Sequence, residues 1–283
     1  MSDKFLELLY PTYGQYFKVD EVLFESKTEH QHLVIFKNEQ FGNVMALDGI
    51  IQTTQKDEFI YHEMLTHVPL FAHPEPKSVL IIGGGDGGIL RETMRHKSVE
   101  RVVQVEIDQS VIDMCKEYFP NHSAGAFDDP RANIVIADGM DYVKTSEEKF
   151  DVIISDSTDP IGPGEVLFTN DFYRLAKERL NEGGIMVTQN GVCFMQIDEV
   201  LNTAKRMGPL YQDQSFYCAP VPTYIGGVMT MGWATDNKTL RQQSVETIAD
   251  RYINSGIKTR YYNPQIHAGA FALPQYVVEA LKQ

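Results

Sequence analysis

The residues Val79-Leu-Ile-Ile-Gly-Gly-Gly-Asp-Gly-Gly-Ile-Leu90 decide the fold. Four apolar residues, 79–82, run into a six-residue loop, 83–88, and the apolar pair after it is typical of the start of a helix. A buried strand, a glycine-rich turn and a helix N-terminus together form a binding loop for a nucleotide or nucleoside. The stretch therefore predicts an α/β domain with a ligand site at this turn.

One side-chain charge, Asp86, lies inside this loop. The spacing Gly83-x-Gly85-x-x-Gly88 matches the dinucleotide fingerprint, but the pyrophosphate of a dinucleotide or the carboxylate of S-adenosylmethionine would meet a like charge there. Two like charges about 4 Å apart repel by several kcal/mol at an effective dielectric constant near 20. A ligand with an amine in that place would be attracted instead. Alternatively, Asp86 caps the following helix and points away from the ligand.

The chain around this loop alternates between strand and helix patterns, which predicts a doubly wound parallel sheet. Strands are predicted at 78–82, 101–106, 132–137, 150–155 and 184–190. Helices are predicted near 88–96, 109–118, 139–145, 170–181 and 196–206. The strand-like segments 214–221 and 227–234 predict an antiparallel pair that closes the sheet. A helix near 239–254 and a short C-terminal helix follow.

The N-terminal residues predict a small antiparallel β-domain. Strands are predicted at 19–26, 32–38, 42–47 and 50–53, with Asp48-Gly49 as a hairpin signal. A helix is predicted from 57 to 71, and the prolines that follow end it. We therefore divide the chain into an N-terminal β-strand domain, 1–56, and a Rossmann-like catalytic domain, 57–283. The smaller domain buries little by itself, so it should pack on the larger one or on another subunit.

Composition limits the partners and the compartment. The 283 residues carry a formal net charge of −14, which disfavours nucleic acid or an anionic membrane as a partner and suits a cationic substrate. Three widely spaced cysteines form no disulfide framework or zinc pattern, and no signal peptide or membrane-length apolar run is evident. A cytoplasmic protein is expected. His62 and His67, five apart on a helix, do not face one metal, so no metal site is expected.

Acidic residues follow three further predicted strands. Glu106 at the tip of the second strand can accept both ribose hydroxyls of a nucleoside. Asp138 at the third can accept an adenine amino group or cap the next helix, and the two interpretations are compatible. Asp156 and Asp159 follow the fourth strand and form an acidic corner that suits a cationic substrate, with one carboxylate as proton acceptor. The alternative for this corner is ordinary turn chemistry.

An ordered set of motifs resembles the polyamine aminopropyltransferase family, and within it the spermidine synthases. The motifs are Leu47-Asp-Gly-Ile-Ile-Gln52, Asp57-Glu-Phe-Ile-Tyr-His-Glu63, Gly83-Gly-Gly-Asp-Gly-Gly88, Glu106-Ile-Asp108, Asp138-Gly139, Asp156-Ser-Thr-Asp-Pro-Ile-Gly-Pro163 and Pro222-Thr-Tyr224. The glycine loop alone is weakly specific, but the ordered set covers nearly the whole chain. The resemblance implies a Rossmann-like, methyltransferase-type sheet behind the β-domain. It also implies transfer of the aminopropyl group of decarboxylated S-adenosylmethionine, a co-substrate, to putrescine, giving spermidine and 5′-methylthioadenosine without a prosthetic group.

The resemblance also implies roles for individual residues, with Asp156 as the catalytic base. The donor-binding residues would be Gln31, Gly83, Gly85, Asp86, Glu106, Asp138 and Gly139, with Asp86 and Gln31 on the aminopropyl amine. The diamine-binding residues would be Gln52, Tyr61, His62, Asp156, Asp159 and Tyr224. It further implies a homodimer or homotetramer. The proline- and glycine-rich segment 157–168 is predicted to be a lid.

Rival functions stay open at this point. An S-adenosylmethionine-dependent polyamine N-methyltransferase would use the same scaffold, and a non-catalytic polyamine-binding protein would use the same acidic pocket. A dehydrogenase is disfavoured because Asp86 would oppose a pyrophosphate. The choice among putrescine, cadaverine, agmatine and longer polyamines depends on pocket length, which the sequence does not determine.

Overall fold

The computed structural model describes residues 3–10, 12–28, 30–157 and 162–283. Within the described residues up to 54, the regular elements are all β-strands. The strands are β1 (Lys4–Tyr10), β2 (Tyr13–Lys18), β3 (Glu21–Lys27), β4 (His32–Asn38), β5 (Gly42–Leu47) and β6 (Ile50–Thr54). β1 and β2 pair as an antiparallel hairpin, and β3 to β6 form an antiparallel sheet in sequential order. Helix α1 (Glu58–Ala72) follows. The predicted division at residue 56 falls between β6 and α1 and stays a prediction.

A seven-stranded sheet forms the centre of the molecule. Its strands are β7 (Ser78–Gly83), β8 (Arg101–Glu106), β9 (Ala132–Ile136), β10 (Phe150–Asp156), β11 (Leu180–Val192), β12 (Asp213–Pro220) and β13 (Val228–Thr235). The order is β12-β13-β11-β10-β7-β8-β9, with β7 to β11 parallel and β13 antiparallel to both of its neighbours. The predicted doubly wound sheet with an antiparallel strand pair is confirmed. The chain leaves β7 towards β8 on one side and later returns to β10 on the other, so a crevice opens beyond these strand ends.

Helices cover both faces of this sheet. They are α2 (Gly88–Met94), α3 (Gln109–Tyr118), α4 (Pro120–Ser123), α5 (Gly139–Thr145), α6 (Asn170–Glu178), α7 (Ile197–Met207), α8 (Val245–Ser255), α9 (Pro264–Ala270) and α10 (Gln275–Ala280). Val79 and Ile81 of β7 pack in the apolar cluster that contains α1, whereas Leu80 and Ile82 pack in the cluster that contains α6. Burial on both faces explains why β7 is a continuous apolar run. In the described part of the chain, no helix is long and apolar enough to span a bilayer.

The sequence prediction missed the β1–β2 hairpin, and the burial pattern of β1 is inverted. On β1 the buried side chain is Glu7, at 2% exposed, while Leu6 and Leu8 are more than half exposed. Apolar periodicity assigns such a strand to the wrong face. The prediction also missed α4, which spans one turn.

The C-terminal helices were also placed inaccurately. The helix predicted from residue 239 begins at Val245, because the hydroxyl of Ser244 accepts the amide proton of Thr247 and caps it. The single C-terminal helix is two, α9 and α10, which are separated by four residues, 271–274.

Candidate active site

The ends of β7, β8 and β10 open into a cavity of about 380 Å³ that the N-terminal sheet also borders. A volume of this size is in the range of small-molecule sites. Every site residue that the sequence predicted lines this cavity, apart from Asp159, which lies outside the described residues. They are Gln31, Gln52, Tyr61, His62, Gly83, Gly85, Asp86, Glu106, Asp138, Gly139, Asp156 and Tyr224. The fold thus brings these residues together, while their individual roles stay predictions.

The glycine loop has its composition because other residues approach it closely. Gly83 has a φ of +84°, and a Cβ on it would overlap the carbonyl oxygen of Asp156 in the adjacent strand. A Cβ on Gly88 would overlap the imidazole of His62. The loop therefore packs closely against both the carboxyl end of β10 and helix α1, and it also forms one wall of the cavity.

Asp86 bonds to the backbone at the start of α2 and lines the cavity. Its Oδ1 accepts a hydrogen bond of 2.8 Å from the amide of Gly88, the first residue of α2. Its Oδ2 lies 3.1 Å from Nε2 of His62. Burial by itself would raise the pKa of Asp86, but the charge and hydrogen bond of His62 lower it well below its ordinary value. Asp86 is therefore ionised at neutral pH and already has a cationic partner within the protein.

His62 lies between two carboxylates. Its Nδ1 is 2.6 Å from Oε2 of Glu58, one turn earlier on α1, and its Nε2 faces Asp86. Burial would lower the pKa of His62, but the two carboxylates raise it to about 10. The sequence argument treated Asp86 as an unopposed negative charge. In the structure His62 opposes that charge, and Glu58 in turn pairs with His62.

Asp156, at the end of β10, has the opposite environment. The hydroxyl of Tyr61 donates a hydrogen bond of 2.5 Å to its Oδ1, and among the described residues Asp156 forms no ion pair. Burial, together with the charge of Asp86, raises the pKa of Asp156 to about 6, although Tyr61 and His62 act in the other direction. A carboxylate with this pKa can exchange a proton near neutral pH.

Two tyrosines form the wall beside Asp156. The ring centroids of Tyr61 and Tyr224 are 5.9 Å apart at an interplanar angle of 72°. The hydroxyl of Tyr224 donates to the carbonyl oxygen of Gln52 at 2.8 Å. Asp57 holds the loop next to Tyr224, because its Oδ2 accepts from the amide and hydroxyl of Thr223 at 3.0 and 2.8 Å. Both rings are thus fixed by contacts from separate parts of the chain.

Glu106 and Gln31 meet through Asp108. Glu106 is buried, its Oε1 accepts from the amide of Asp108 at 3.0 Å, and burial together with the nearby Asp108 charge raises its pKa to about 7. The amide of Gln31 donates to Oδ2 of Asp108 at 3.1 Å. Gln31 therefore lines the cavity while bonded to Asp108, and the structure records no bond between Gln31 and Asp86 among the residues it describes.

Asp138 caps a helix, as one of its two interpretations predicts. Its Oδ1 accepts from the amides of Met140 and Asp141 at 2.7 and 3.2 Å. The residue also borders the cavity. The capping bonds use one carboxylate oxygen, so the second can still face a ligand.

Sequence reasoning missed two buried amide side chains that shape the site. Gln104 of β8 donates to the carbonyl oxygens of Gly83 and Gly84 at 3.0 and 2.6 Å and so holds the glycine loop. Gln189 of β11 donates to the carbonyl oxygen of Ser157 at 3.1 Å, just after Asp156. A glutamine inside an apolar strand is the signal that would have found them, since a buried amide requires partners.

The two histidines of α1 make separate contacts. His67 lies 2.9 Å from Nε2 of His96 and 2.8 Å from a carboxylate oxygen of Glu92. His62 contacts Glu58 and Asp86 instead. The spacing of the two histidines predicted that their rings face different places, and in the structure they do.

Two family models match the chain. Residues 58–244 match the spermine/spermidine synthase domain. Residues 5–55 match the spermidine synthase tetramerisation domain. Together they span the β-strands of the N-terminal part and the whole central sheet.

Individual relatives and structures agree with these matches. The chain is 64% identical over 281 residues to polyamine aminopropyltransferase 1 of Pseudomonas aeruginosa, covering 99% of this chain and 98% of the relative. It is 62% identical to the polyamine aminopropyltransferase of Pseudomonas syringae pv. tomato, covering 100% and 99%. A crystal structure of spermidine synthase in complex with the transition-state analogue AdoDATO superposes with a TM-score of 0.93 at 39% identity, covering 99% of this chain and 94% of that chain. Spermidine synthase from Thermotoga maritima gives a TM-score of 0.90 at 37% identity with the same coverage.

Proposed function

The chain belongs to the spermine/spermidine synthase family and is a polyamine aminopropyltransferase, and we propose that it acts as a spermidine synthase. In this reaction the aminopropyl group of decarboxylated S-adenosylmethionine moves to putrescine, giving spermidine and 5′-methylthioadenosine. The observation that carries the proposal is the partly buried Asp156, whose pKa is raised to about 6 in a cavity shared with Asp86 and Glu106. The AdoDATO complex of the related spermidine synthase is consistent with a donor of this kind.

Asp156 is the proposed base. A primary ammonium has a pKa near 10.4, so transfer of its proton to a carboxylate of pKa about 6 is unfavourable by roughly 6 kcal/mol. The adjacent sulfonium of the donor and burial both lower the pKa of the amine and narrow this gap. Asp156 accepts the proton, the amine nitrogen forms a bond to the carbon next to sulfur, and the carbon–sulfur bond breaks. The electron pair stays on sulfur as a neutral thioether, so no acid is needed for the leaving group.

The proposed donor site follows the glycine loop and the strand ends. Glu106 accepts the ribose hydroxyls, and the oxygen of Asp138 that is not used for capping accepts the adenine amino group. Asp86, ionised by its contact with His62, binds the amine of the aminopropyl arm. Gly83 and Gly85 lie on the wall of the same cavity and let the ligand approach the backbone.

The proposed diamine site lies on the other side of Asp156. The rings of Tyr61 and Tyr224 face the methylene chain or an ammonium group, an arrangement worth about 0.5–2 kcal/mol for a cation over a ring. Gln52 and Asp159 complete the set by their positions in the family motif. Two cations held in fixed orientation react with a large advantage over the same groups in solution.

We also infer a homo-oligomer, in the cytoplasm. The match to a tetramerisation domain supports assembly, as do exposed apolar side chains on the β1–β2 hairpin. These side chains are Leu6, Leu8, Tyr13 and Tyr16, at 52–61% exposed. The three cysteines are all free, which suits a reducing compartment. Sedimentation velocity tests the assembly: a monomer at micromolar concentration would contradict it.

The test of the proposed function is the mass of the product. With decarboxylated S-adenosylmethionine and putrescine, we expect an aminopropyl adduct of the mass of spermidine and an equal amount of 5′-methylthioadenosine. A product that gains one methyl group from S-adenosylmethionine would contradict the proposal and establish the methyltransferase alternative. Steady-state kinetics with putrescine, cadaverine, agmatine and spermidine then define the acceptor, and we expect the highest kcat/KM for putrescine.

A further inference from the structure

Two charged residues stand behind the cavity wall, and no role follows for them from the reaction described above. Glu58 lies in the first turn of α1, and Arg91 lies on α2. Neither is among the described residues that line the 380 Å³ cavity. Both side chains are nonetheless largely buried, at 9% and 16% exposed. Buried ions of this kind require an explanation, because an uncompensated charge in the interior is strongly destabilising.

The contacts of His62 define its protonation state by geometry. Nδ1 lies 2.6 Å from a Glu58 oxygen, and Nε2 lies 3.1 Å from an Asp86 oxygen. Ionised carboxylates only accept hydrogen bonds, so both ring nitrogens must carry protons to bond with them. The ring is therefore an imidazolium.

Arg91 extends the alternation of charge. Its Nη2 and Nη1 bond to the two oxygens of Glu58 at 2.9 and 3.3 Å, and Nη1 also donates to the carbonyl oxygens of Asn121 and His122 at 2.9 and 2.8 Å. A forked contact of this kind fixes a carboxylate in orientation as well as in charge. From the cavity inwards the order is Asp86, His62, Glu58, Arg91, with alternating signs, and the alternation continues to the buried Glu92, whose Oε1 lies 2.8 Å from Nε of Arg91.

We propose that Glu58 and Arg91 are positioning residues that hold His62 as an imidazolium, and that His62 in this form fixes the Asp86 carboxylate towards the amine of the donor. This inference rests on the proposed function for the role of Asp86. With both nitrogens engaged, His62 acts on the ligand through Asp86, not by a hydrogen bond of its own. Gly88 has no side chain where the ring of His62 must lie, which is consistent with this arrangement.

The two other rings next to His62 are neutral. The ring of His122 on α4 is 5.9 Å away, and its pKa is lowered to about 4 by burial and by the charge of His62, so it is neutral. The ring of Tyr61 is 5.7 Å away, and its pKa is raised by burial and by Asp156, so it is neutral too. Asp156 itself is close enough to respond to the charge of His62.

The test is a pH titration of the histidine ring nitrogens by NMR in ligand-free protein labelled with ¹⁵N-histidine, with the His62 signals assigned by substitution. We expect His62 to remain an imidazolium in the wild type until its pKa of about 10. In Glu58→Gln the pKa of His62 should fall by about 1–3 units, because a neighbouring opposite charge is lost. A neutral His62 ring at neutral pH in the wild type, or an unchanged titration in Glu58→Gln, would overturn the proposal.

Glu63→Gln is the matched control. Glu63 is a buried carboxylate of the same helix, and it accepts the backbone amides of Arg260, Tyr261 and Tyr262 at 2.8 Å. Its loss should lower stability but leave the titration of His62 in place. An equal shift in Glu63→Gln would mean that general loosening of α1 moves the titration, and the positioning role would be wrong.

Activity gives the second readout. For Glu58→Gln, kcat/KM for the donor should fall as the pH rises through the lowered pKa of His62, whereas the wild type and Glu63→Gln should show no such step below about pH 9. Absence of the step would overturn the role towards the donor. The two failures are distinguishable: no aminopropyl product with an imidazolium at His62 defeats the proposed function, and product formation with a neutral His62 defeats only this inference.

Discussion

Two walls of one cavity each carry an aspartate, and the pKa values of the two are shifted in opposite directions. Asp86 follows β7 and Asp156 ends β10, the neighbouring strand; Asp86 is buried and Asp156 is partly buried. Burial by itself raises the pKa of each. Asp86 lies 3.1 Å from the cationic His62, which lowers the pKa of Asp86. Asp156 accepts a hydrogen bond of 2.5 Å from the neutral hydroxyl of Tyr61, and its pKa is raised to about 6.

The difference teaches that the partner, not the residue type or the strand position, assigns the role. A carboxylate that stays ionised over the whole working pH range can bind a cation, but it does not accept a proton. A carboxylate whose pKa is near the working pH can exchange one. The wall with Asp86, which is paired with His62, therefore suits the donor amine, and the wall with Asp156 suits the proton transfer.

The largest expected effect is on turnover. Asp156→Asn removes the base and should lower kcat by about 10²–10⁴-fold, the usual contribution of general base catalysis. Donor affinity should change little, because the donor amine is assigned to the other wall. Single-turnover kinetics and calorimetry measure the two quantities. Near-normal turnover would show that Asp156 is not the base.

The two walls should also affect stability with opposite signs. The pKa of Asp156 is about 6 in the folded protein against an ordinary 3.8, so its ionisation destabilises the fold by about 3 kcal/mol at neutral pH, and Asp156→Asn should recover part of this. The gain should shrink as the pH falls from about 6 towards 3.8 and vanish below about 3, where the carboxyl group is protonated in both the folded and the unfolded state. Asp86→Asn should instead lose about 3–5 kcal/mol, because a buried pair is broken. Urea unfolding tests this, and equal signs would contradict the comparison.

A smaller effect is expected on donor binding. Asp86→Asn should weaken the binding of decarboxylated S-adenosylmethionine by about 10–150-fold, the value of a hydrogen bond to a charged group. The preference for this donor over S-adenosylmethionine should narrow, because the repulsion of the ligand carboxylate is lost. Calorimetry with both ligands measures this. Unchanged affinity and unchanged preference would place the amine elsewhere.

The smallest effect is a shift in the acid limb of the pH profile. The hydrogen bond from Tyr61 lowers the pKa of Asp156, so Tyr61→Phe should raise that pKa and move the acid limb of kcat/KM to higher pH, by about one unit or less. Tyr224→Phe is the control, because its hydroxyl bonds to the carbonyl oxygen of Gln52. A limb that moves to lower pH in Tyr61→Phe would reverse the assigned role of the tyrosine.

The sequence was sufficient for the main fold and for the membership of the site. The β7 segment is apolar on both faces because the parallel sheet is covered on both sides, so it was predictable without its partners. Glu106, Asp138 and Asp156 converge because the carboxyl ends of parallel strands meet at one edge. These features depend on local pattern and on topology alone.

The sequence was not sufficient for the charge states in the site. The pairing of Asp86 with His62 depends on how α1 packs against the glycine loop, and Glu58 and Arg91 join through the same packing. A single charge in a sequence does not show which ion opposes it. Glu7 illustrates the same limit in the fold. It is buried because the side-chain amide of Gln15 and the backbone amide of Ile51 donate hydrogen bonds to it, and its burial inverts the apolar pattern of β1.

The most direct test is a carboxyl ¹³C NMR titration of the ligand-free protein, with Asp86 and Asp156 assigned through their Asn variants. We predict that Asp156 titrates near pH 6 and that Asp86 stays ionised down to the lowest pH at which the fold persists. Two carboxyl groups that titrate together near the ordinary value of 3.8, or in the reverse order, would contradict the division of roles between the two walls.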